Sequence, residues 1–314
     1  MSKGVQYKPR DWSQYNKNLT SRGNFSLWLD SDDLQNWLDD SPAKGSGSSR
    51  HYSDRAIQCI STFRFLFKLP LRATQGFITT LFSKMGINLP IPHYSTISRR
   101  LTELECPIPQ ELDYESPLHL ALDSTGLKVF GEGEWKVRQH GYSKRRTWRK
   151  VHLAVDTETK QIINAVISTN DIKDNEVIND LLHSNEADIK EIYGDGAYDT
   201  KNVYNCAKKK GIRIVVPPRK NAKLKLHGNC KQEPLVRDQA IRKIKRNGKQ
   251  AWKEENNYHK RSISEMAMFR LKSLFGGKLS SRTFANQASE VFIKCGLLNV
   301  FAIAGLANSK PVLR

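Results

Sequence analysis

Short apolar segments that end at glycine, proline or acidic residues follow one another between residues 117 and 216, and they constrain the fold more than any other feature. Segments of this length and composition predict strands, which we place at 118–122, at 127–130 after a Ser-Thr-Gly turn, and at 151–155, 162–167, 189–193 and 212–216. Helical periodicity at 177–182 and in the residues up to Lys210 places helices between the later strands. This alternation predicts an α/β fold class, with a mixed sheet flanked by helices.

The N-terminal third of the chain shows a different pattern. Residues 1–26 are polar and basic and residues 44–49 are rich in Ser and Gly, which together predict a flexible basic arm and linker at 1–50. Residues 51–112 have apolar residues at helical spacing, and the last of these helices directs Arg99 and Arg100 outward. A helix-turn-helix that binds DNA fits this region. A plain helical bundle fits equally well, because the turn from Gly86 to Tyr94 is longer than usual.

The charge balance indicates a polyanionic partner. Lys and Arg number 51 against 32 acidic residues, giving a net charge of +19, and enzymes of small metabolites have little reason to carry such self-repulsion. The longest apolar run, Cys295 to Ala307, is interrupted by Asn299 and is shorter than the roughly 20 residues of a spanning helix. The five cysteines form no Cys-x-x-Cys pair, which indicates free thiols in a reducing compartment.

Two carboxylates stand at predicted strand ends, and a third lies on a later helix. Asp123 follows the strand at 118–122, Asp195 follows the strand at 189–193 within GDGAYD, and Glu265 comes 70 residues after Asp195. Neighbouring strand ends and a packed helix converge on one point in such a sheet. Divalent metal relieves the repulsion between grouped carboxylates, and two ions catalyse in-line displacement at phosphorus. We therefore predict a metal site.

The helix that carries Glu265 has a polar row. At about 100° per residue, four side chains fall within an arc of roughly 60°, namely Tyr258, Arg261, Glu265 and Lys272. The opposite face is apolar and consists of Ile263, Ala267, Leu271 and Leu274. One carboxylate among cationic and hydroxyl donors suits a phosphate bound together with a metal. The alternative is a solvated face with an ordinary Glu/Arg pair at spacing four.

Two further segments are basic. Residues 136–150 contain cations and no acid, interleaved with aromatic residues, and this composition matches contacts to phosphates and bases. Arg145, Arg146 and Trp148 are the DNA contacts expected there, although a charge run of this kind is also typical of a solvated loop. In the basic, strand-poor segment 217–256, Trp252 either stacks on a displaced base or is buried.

Together these residues resemble bacterial insertion-sequence transposases of the DDE class, which have a ribonuclease H-like core. The spacing of the polar row is similar to their Tyr-x2-Arg-x3-Glu-x6-Lys signature, and DSTGLKVFGEGEW and GDGAYD resemble their first and second acidic motifs. The resemblance implies a catalytic domain at 117–307 in which Asp123, Asp195 and Glu265 bind two Mg²⁺ ions, with Mn²⁺ as a substitute. It also implies that Tyr258, Arg261 and Lys272 hold DNA near the cleaved end.

The resemblance further implies an activity and partners. The expected protein binds terminal inverted repeats, cleaves DNA, transfers the strand to target DNA, and acts as a homodimer in the bacterial cytoplasm in association with the nucleoid. A DNA-binding regulator with an inactive core and a structure-specific nuclease that cuts without joining are the alternatives. The chain differs from some relatives between Asp195 and Glu265. Those relatives carry a large strand-rich insertion there, whereas this chain has only the basic segment 217–256.

Overall fold

The computed structural model describes residues 12–39, 52–104, 106–110, 116–129, 148–183, 188–226 and 235–304. The chain divides into two compact units. The N-terminal unit comprises Met1–Pro109 together with Gly296–Arg314, and the second unit comprises Gln110–Cys295. None of the described helices is long and apolar enough to cross a membrane.

The N-terminal unit is helical. Its described helices are α1 (Trp12–Ser21), α2 (Ser31–Gln35), α3 (Asp54–Leu66), α4 (Leu71–Met85) and α5 (Tyr94–Glu103). The last three pack on one another around a buried apolar core that includes Phe63, Ile78, Ile97 and Leu101. Gly86 ends α4 in the left-handed conformation, at a φ of 70°. The predicted N-terminal helical region is therefore confirmed.

Two features of this unit differ from the sequence expectation. Helix α1 occupies part of the stretch interpreted as a flexible arm, residues 1–50. Residues 296–304 pack with the N-terminal unit, because Asn299 Nδ2 donates to the Pro109 carbonyl at 2.9 Å and the Phe301 ring contacts Trp28 edge to face. The unit boundary therefore falls at residue 296, before the expected end of the catalytic domain at 307.

The second unit contains a mixed sheet. Its described strands are β1 (Leu118–Val129), β2 (Trp148–Asp156), β3 (Ile162–Thr169), β4 (Ile189–Tyr193), β5 (Arg213–Val215) and β6 (Lys278–Leu279). The order is β3-β2-β1-β4-β5, and β6 also pairs with β1. The first three strands are antiparallel, whereas β4 runs parallel to β1 and β5 runs parallel to β4. This sheet confirms the predicted α/β fold class, with a mixed sheet flanked by helices.

Helices cover the sheet. Those described are α6 (Ile178–Leu181), α7 (Lys201–Lys210), α8 (Val236–Asn247), α9 (Lys249–Glu255), α10 (Ser262–Phe275) and α11 (Phe284–Ile303), which continues into the N-terminal unit. On one face, Leu120 and Leu122 of β1 share a buried core with residues of α6 and α7. On the other face, Tyr193 and Val215 pack against Trp252 of α9. Because strand side chains alternate, Asp123 lies on the face opposite Leu122.

The predicted Ser-Thr-Gly turn after Asp123 is wrong, because β1 is continuous through it. Ser124 pairs with His152, and Gly126 pairs with Lys150, so the backbone groups of this stretch belong to the β1–β2 ladder. A Cβ at position 126 would lie 3.2 Å from Cε3 of Trp148, so a larger residue in the strand would require the Trp148 ring to shift. Strand β2 therefore begins at Trp148, inside the segment expected to be a basic loop.

The predicted helix from Tyr258 to Lys272 is divided. Asn257 has a φ of 50°, Tyr258–Arg261 forms a 3₁₀ turn, and the regular helix α10 begins at Ser262. The buried side of α10 is also rotated from the predicted stripe, since Leu274 is 37% exposed. The buried residues of α10 are Ser264, Ala267, Met268, Leu271 and Phe275.

Candidate active site

Asp123 lies in the middle of β1, on the face toward α10. Its Oδ1 accepts a hydrogen bond from the Ser124 amide at 2.8 Å, and its side chain is largely buried. Burial raises the pKa of Asp123; the Ser124 hydrogen bond and the Arg261 guanidinium oppose this shift, and the charges of Asp195 and Glu265 raise the pKa further. Asp195 and Glu265 therefore both lie within electrostatic reach of Asp123.

Asp195 follows the end of β4 and begins a 3₁₀ turn. Its Oδ1 accepts from the Ala197 amide at 2.8 Å, which fixes the carboxylate against the turn Gly196–Tyr198. The glycine before it has a packing reason, because a Cβ at position 194 would lie 2.9 Å from Cδ2 of Tyr198. Asp195 therefore occupies a strand end held in place by a buried aromatic ring.

Glu265 lies in the first turn of α10, which packs on β1 and β2. Arg261 joins it to Asp123: its Nη2 donates to Glu265 Oε1, and its Nη1 is 3.8 Å from Asp123 Oδ2. The guanidinium therefore neutralises charge between two of the three acids. Arg261 and Glu265 form the ordinary ion pair expected for residues four apart on a helix, but the same guanidinium also lies beside Asp123 of the sheet.

Tyr258 and Lys272 complete the polar row. The Tyr258 hydroxyl donates to the Gly194 carbonyl at 3.3 Å, beside Asp195. Burial raises the pKa of Tyr258, Arg261 opposes this shift, and the three carboxylates raise the pKa further. Lys272 is exposed, and its seven-residue separation from Glu265 places both side chains on one side of α10.

The donor set fits a hard divalent cation. Carboxylate oxygens are the ligands that Mg²⁺ and Mn²⁺ prefer, and the mutual repulsion that contributes to the raised pKa of Asp123 is relieved by such an ion. Within the described ranges, no three His, Cys, Asp or Glu side chains are already close enough to hold one ion. In the arrangement described, the Arg261 guanidinium lies beside Asp123 and Glu265.

The other predicted DNA contacts are distributed over the chain. Arg99 is exposed on α5, whereas Arg100 donates to Asp54 Oδ1 and to the Tyr52 carbonyl, both at 2.6 Å, and so ties α5 to the start of α3. Trp148 begins β2, with Lys128 Nζ 5.7 Å from the centroid of its ring. Arg145 and Arg146 lie outside the described residues.

Where it is described, the basic segment 217–256 contains no strand, and it is helical at Val236–Asn247 and Lys249–Glu255. Trp252 is 4% exposed and packs on Tyr193 and Val215, so the buried alternative for this residue is confirmed. A buried ion pair anchors the segment: Asp199 accepts from Arg237 Nε at 2.7 Å and from Nη2 at 3.1 Å.

A polar network that no sequence pattern predicted lies behind the site. Glu191 of β4 accepts from the Tyr193 hydroxyl at 2.7 Å, contacts His119 Nδ1 at 2.9 Å and pairs with Arg213. Burial raises the pKa of Glu191, but these three contacts outweigh it and lower the pKa to about 2. Arg213 Nη2 also donates to Asn256 at 2.9 Å, just before the 3₁₀ turn of Tyr258. No sequence signal identifies these partners, since they come from separate strands and a helix end.

A second contact holds the same turn from the other side. Lys260 Nζ donates to Glu158 Oε1 at 2.7 Å, which links the turn to the β2–β3 connection. The side chain of Arg261, the next residue, therefore projects from a turn fixed to both β5 and the β2–β3 hairpin. Positioning of the Tyr258–Arg261 turn thus depends on residues outside the polar row.

Comparison with known families agrees with this architecture. A family model described as a transposase DDE domain matches residues 114–300, and a second model with the same description matches residues 20–132. Among solved structures, the chain is similar to the piggyBac transposase synaptic complex with hairpin DNA, determined by cryo-EM. The two share 12% identity over 95% of this chain and 77% of that chain, with a TM-score of 0.43, and this similarity is too low to support a conclusion. On the family match, which covers more than half of its length, the chain belongs to the insertion-sequence DDE transposases, DNA-cleaving and strand-transferring enzymes that use divalent metal ions.

Proposed function

We propose that this protein is the transposase of a bacterial insertion sequence, which binds terminal inverted repeats and performs Mg²⁺-dependent cleavage and strand transfer. The observation that carries the proposal is the grouping of Asp123, Asp195 and Glu265. They come from the middle of one strand, the end of its parallel neighbour and a helix packed on both β1 and β2. Each of the other two carboxylates raises the pKa of Asp123.

These three carboxylates would hold the metal. When bound, divalent ions activate a water or a 3′-hydroxyl and stabilise the leaving oxygen of an in-line displacement. The protein's own contribution is to orient the oxygens, through the Ser124 amide on Asp123 and the Ala197 amide on Asp195. Arg261 lowers the repulsion between Asp123 and Glu265 before DNA binds.

DNA contacts follow from the same row. Arginine presents five donors in a planar fork, and Arg261 uses one nitrogen for Glu265, so we assign another of its donors to a DNA phosphate. Tyr258 and Lys272 flank that position on the turn and on α10. We also assign phosphate or base contacts to Arg99, Arg145, Arg146 and Trp148, and we give Arg100 the additional task of holding α5 in place.

The helical region 51–112 is proposed to bind the inverted repeats, and two protomers are proposed to bring two DNA ends together. The net charge of +19 supports binding of a long polyanion. The division into a helical unit and a unit with the mixed sheet is consistent with separate recognition and chemistry. The expected location is the bacterial cytoplasm, in association with the nucleoid.

A strand-transfer assay tests the proposal. The purified full chain is incubated with a labelled duplex carrying the element's own terminal repeat and a target plasmid, with Mg²⁺, with Mn²⁺ or with a chelator. We expect joined products that require metal and that disappear in Glu265→Gln. Cleavage without joining would replace the proposal with a structure-specific nuclease, and metal-independent binding without any cut would replace it with a DNA-binding regulator.

A further inference from the structure

Phe269 is the most exposed large hydrophobic side chain in the described part of the chain, at 72%. It lies on α10, whose opposite side is buried through Ala267, Met268 and Leu271. The Phe269 ring is therefore exposed to solvent, on a helix that also carries the candidate metal ligand Glu265. Its position cannot be explained by packing within the described residues.

The ring lies at the edge of the polar row. Phe269 follows Glu265 by four residues and precedes Lys272 by three. Helix geometry places it about 40° from Glu265 and about 60° from Lys272 around the axis, and about 6 Å and about 4.5 Å from them along it. Along the helix axis, the ring therefore stands between a candidate metal ligand and a candidate phosphate contact.

The surroundings favour a nucleic-acid base over a protein partner. The centre of a protein–protein interface is depleted of charged residues, whereas this ring is flanked by Glu265 and Lys272 on a chain of net charge +19. Aromatic side chains among cations are the platforms on which unpaired bases stack. Trp252, the other aromatic residue for which base stacking was an alternative, is buried and therefore unavailable to a base.

We propose that Phe269 stacks on an unpaired base of the DNA beside the phosphate bound at the acidic site. This assignment rests on the proposed function, because it takes the polar row to be the place where DNA is held. The site then accepts a splayed nucleotide at the end of a duplex, and Phe269 contributes base-dependent affinity that Lys272 and Arg261 cannot supply through phosphate contacts.

The test compares two fluorescein-labelled duplexes, one ending in a dT overhang and one whose overhang has the same phosphates but abasic sugars. Binding to the full chain is followed by anisotropy in the presence of chelator, so that no DNA is cut. We expect Phe269→Ala to weaken binding of the dT overhang by about 5- to 150-fold, which corresponds to about 1–3 kcal/mol for one stacked base. Binding of the abasic duplex should not change, and Phe269→Trp should restore the loss.

Leu274→Ala is the matched control, because Leu274 is also an exposed apolar residue of α10 but lies off the polar row. A 5-iodo-dU overhang provides an independent readout, with the photocrosslink expected on the peptide containing Phe269. Equal affinity of Phe269→Ala and wild type for the dT overhang would overturn the proposal. A change in the oligomeric state of the DNA-free variant would also overturn it, since a second copy would then cover the ring.

The outcome is separable from that of the proposed function. If wild type cuts and joins DNA but Phe269→Ala is indistinguishable from it in every assay, stacking is refuted and the transposase remains. If wild type cuts no DNA with any metal but binds the dT overhang through Phe269, stacking is supported and the proposed chemistry fails.

Discussion

Gly194→Ala should damage both the stability and the chemistry of this protein. An added Cβ would lie 2.9 Å from Tyr198 Cδ2, 3.1 Å from Cγ and 3.3 Å from Cβ. Tyr198 is 1% exposed and belongs to the core beneath the sheet, so its ring cannot move aside freely. Overpacking of this kind costs about 1–3 kcal/mol, and for a unit of this size Tm falls by roughly 2–4 °C per kcal/mol.

The chemical consequence follows from the next residue. Asp195 is connected directly to Gly194, and its carboxylate is fixed by the turn that contains Tyr198. A shift of about 1 Å in a catalytic group costs about 10²-fold in rate, so we expect a loss of that order in single-turnover cleavage.

Gly277→Ala is the control for this experiment, since it lies in the same unit and a Cβ there would meet no atom within 4 Å. Thermal melting and cleavage of a labelled duplex are measured for both variants. If Gly194→Ala melts at the wild-type temperature and cleaves DNA at the wild-type rate, the reasoning is refuted, because the strand end and Tyr198 would then have room that the structure does not show.

Three further outcomes are expected. Asp195→Asn keeps an oxygen for the Ala197 amide but removes the charge, so cleavage should fall by roughly 10³-fold or more while DNA affinity in gel-shift assays stays nearly intact; substantial residual cleavage would remove Asp195 from the metal site. Arg237→Ala leaves the buried Asp199 carboxylate without its main partner and should lower the free energy of unfolding, measured by urea denaturation, by about 3–5 kcal/mol. An unchanged free energy of unfolding would show that the ion pair is unimportant. Arg213→Gln breaks the links to Glu191 and Asn256 and should slow cleavage by about tenfold at unchanged Kd, with partial rescue by Arg213→Lys; a parallel loss of affinity would instead indicate a direct DNA contact.

Local sequence patterns determined the fold class and the candidate acids. The apolar segments of β2, β3 and β4 were located from the sequence, because strand periodicity depends on residues adjacent in the chain. The position of Asp195 after β4 was predicted for the same reason. The helical character of residues 51–112 also followed from local spacing.

Long-range contacts decided the remaining features. Ser-Thr-Gly after Asp123 reads as a turn in isolation, but pairing with β2 keeps it in a strand, and only the position of Trp148 explains its glycine. The 3₁₀ turn at Tyr258 depends on the Gly194 carbonyl and on the partners of Asn256 and Lys260.

The residues of the site divide in the same way, into those that the sequence predicted and those that only the tertiary structure placed. The sequence alone predicted that Asp123, Asp195 and Glu265 act together, because each has a recognisable local setting. Tertiary structure alone brought Arg261 to Asp123, buried Trp252 and left Phe269 exposed. These outcomes depend on which surfaces meet across the sheet, and residues far apart in the chain determine that.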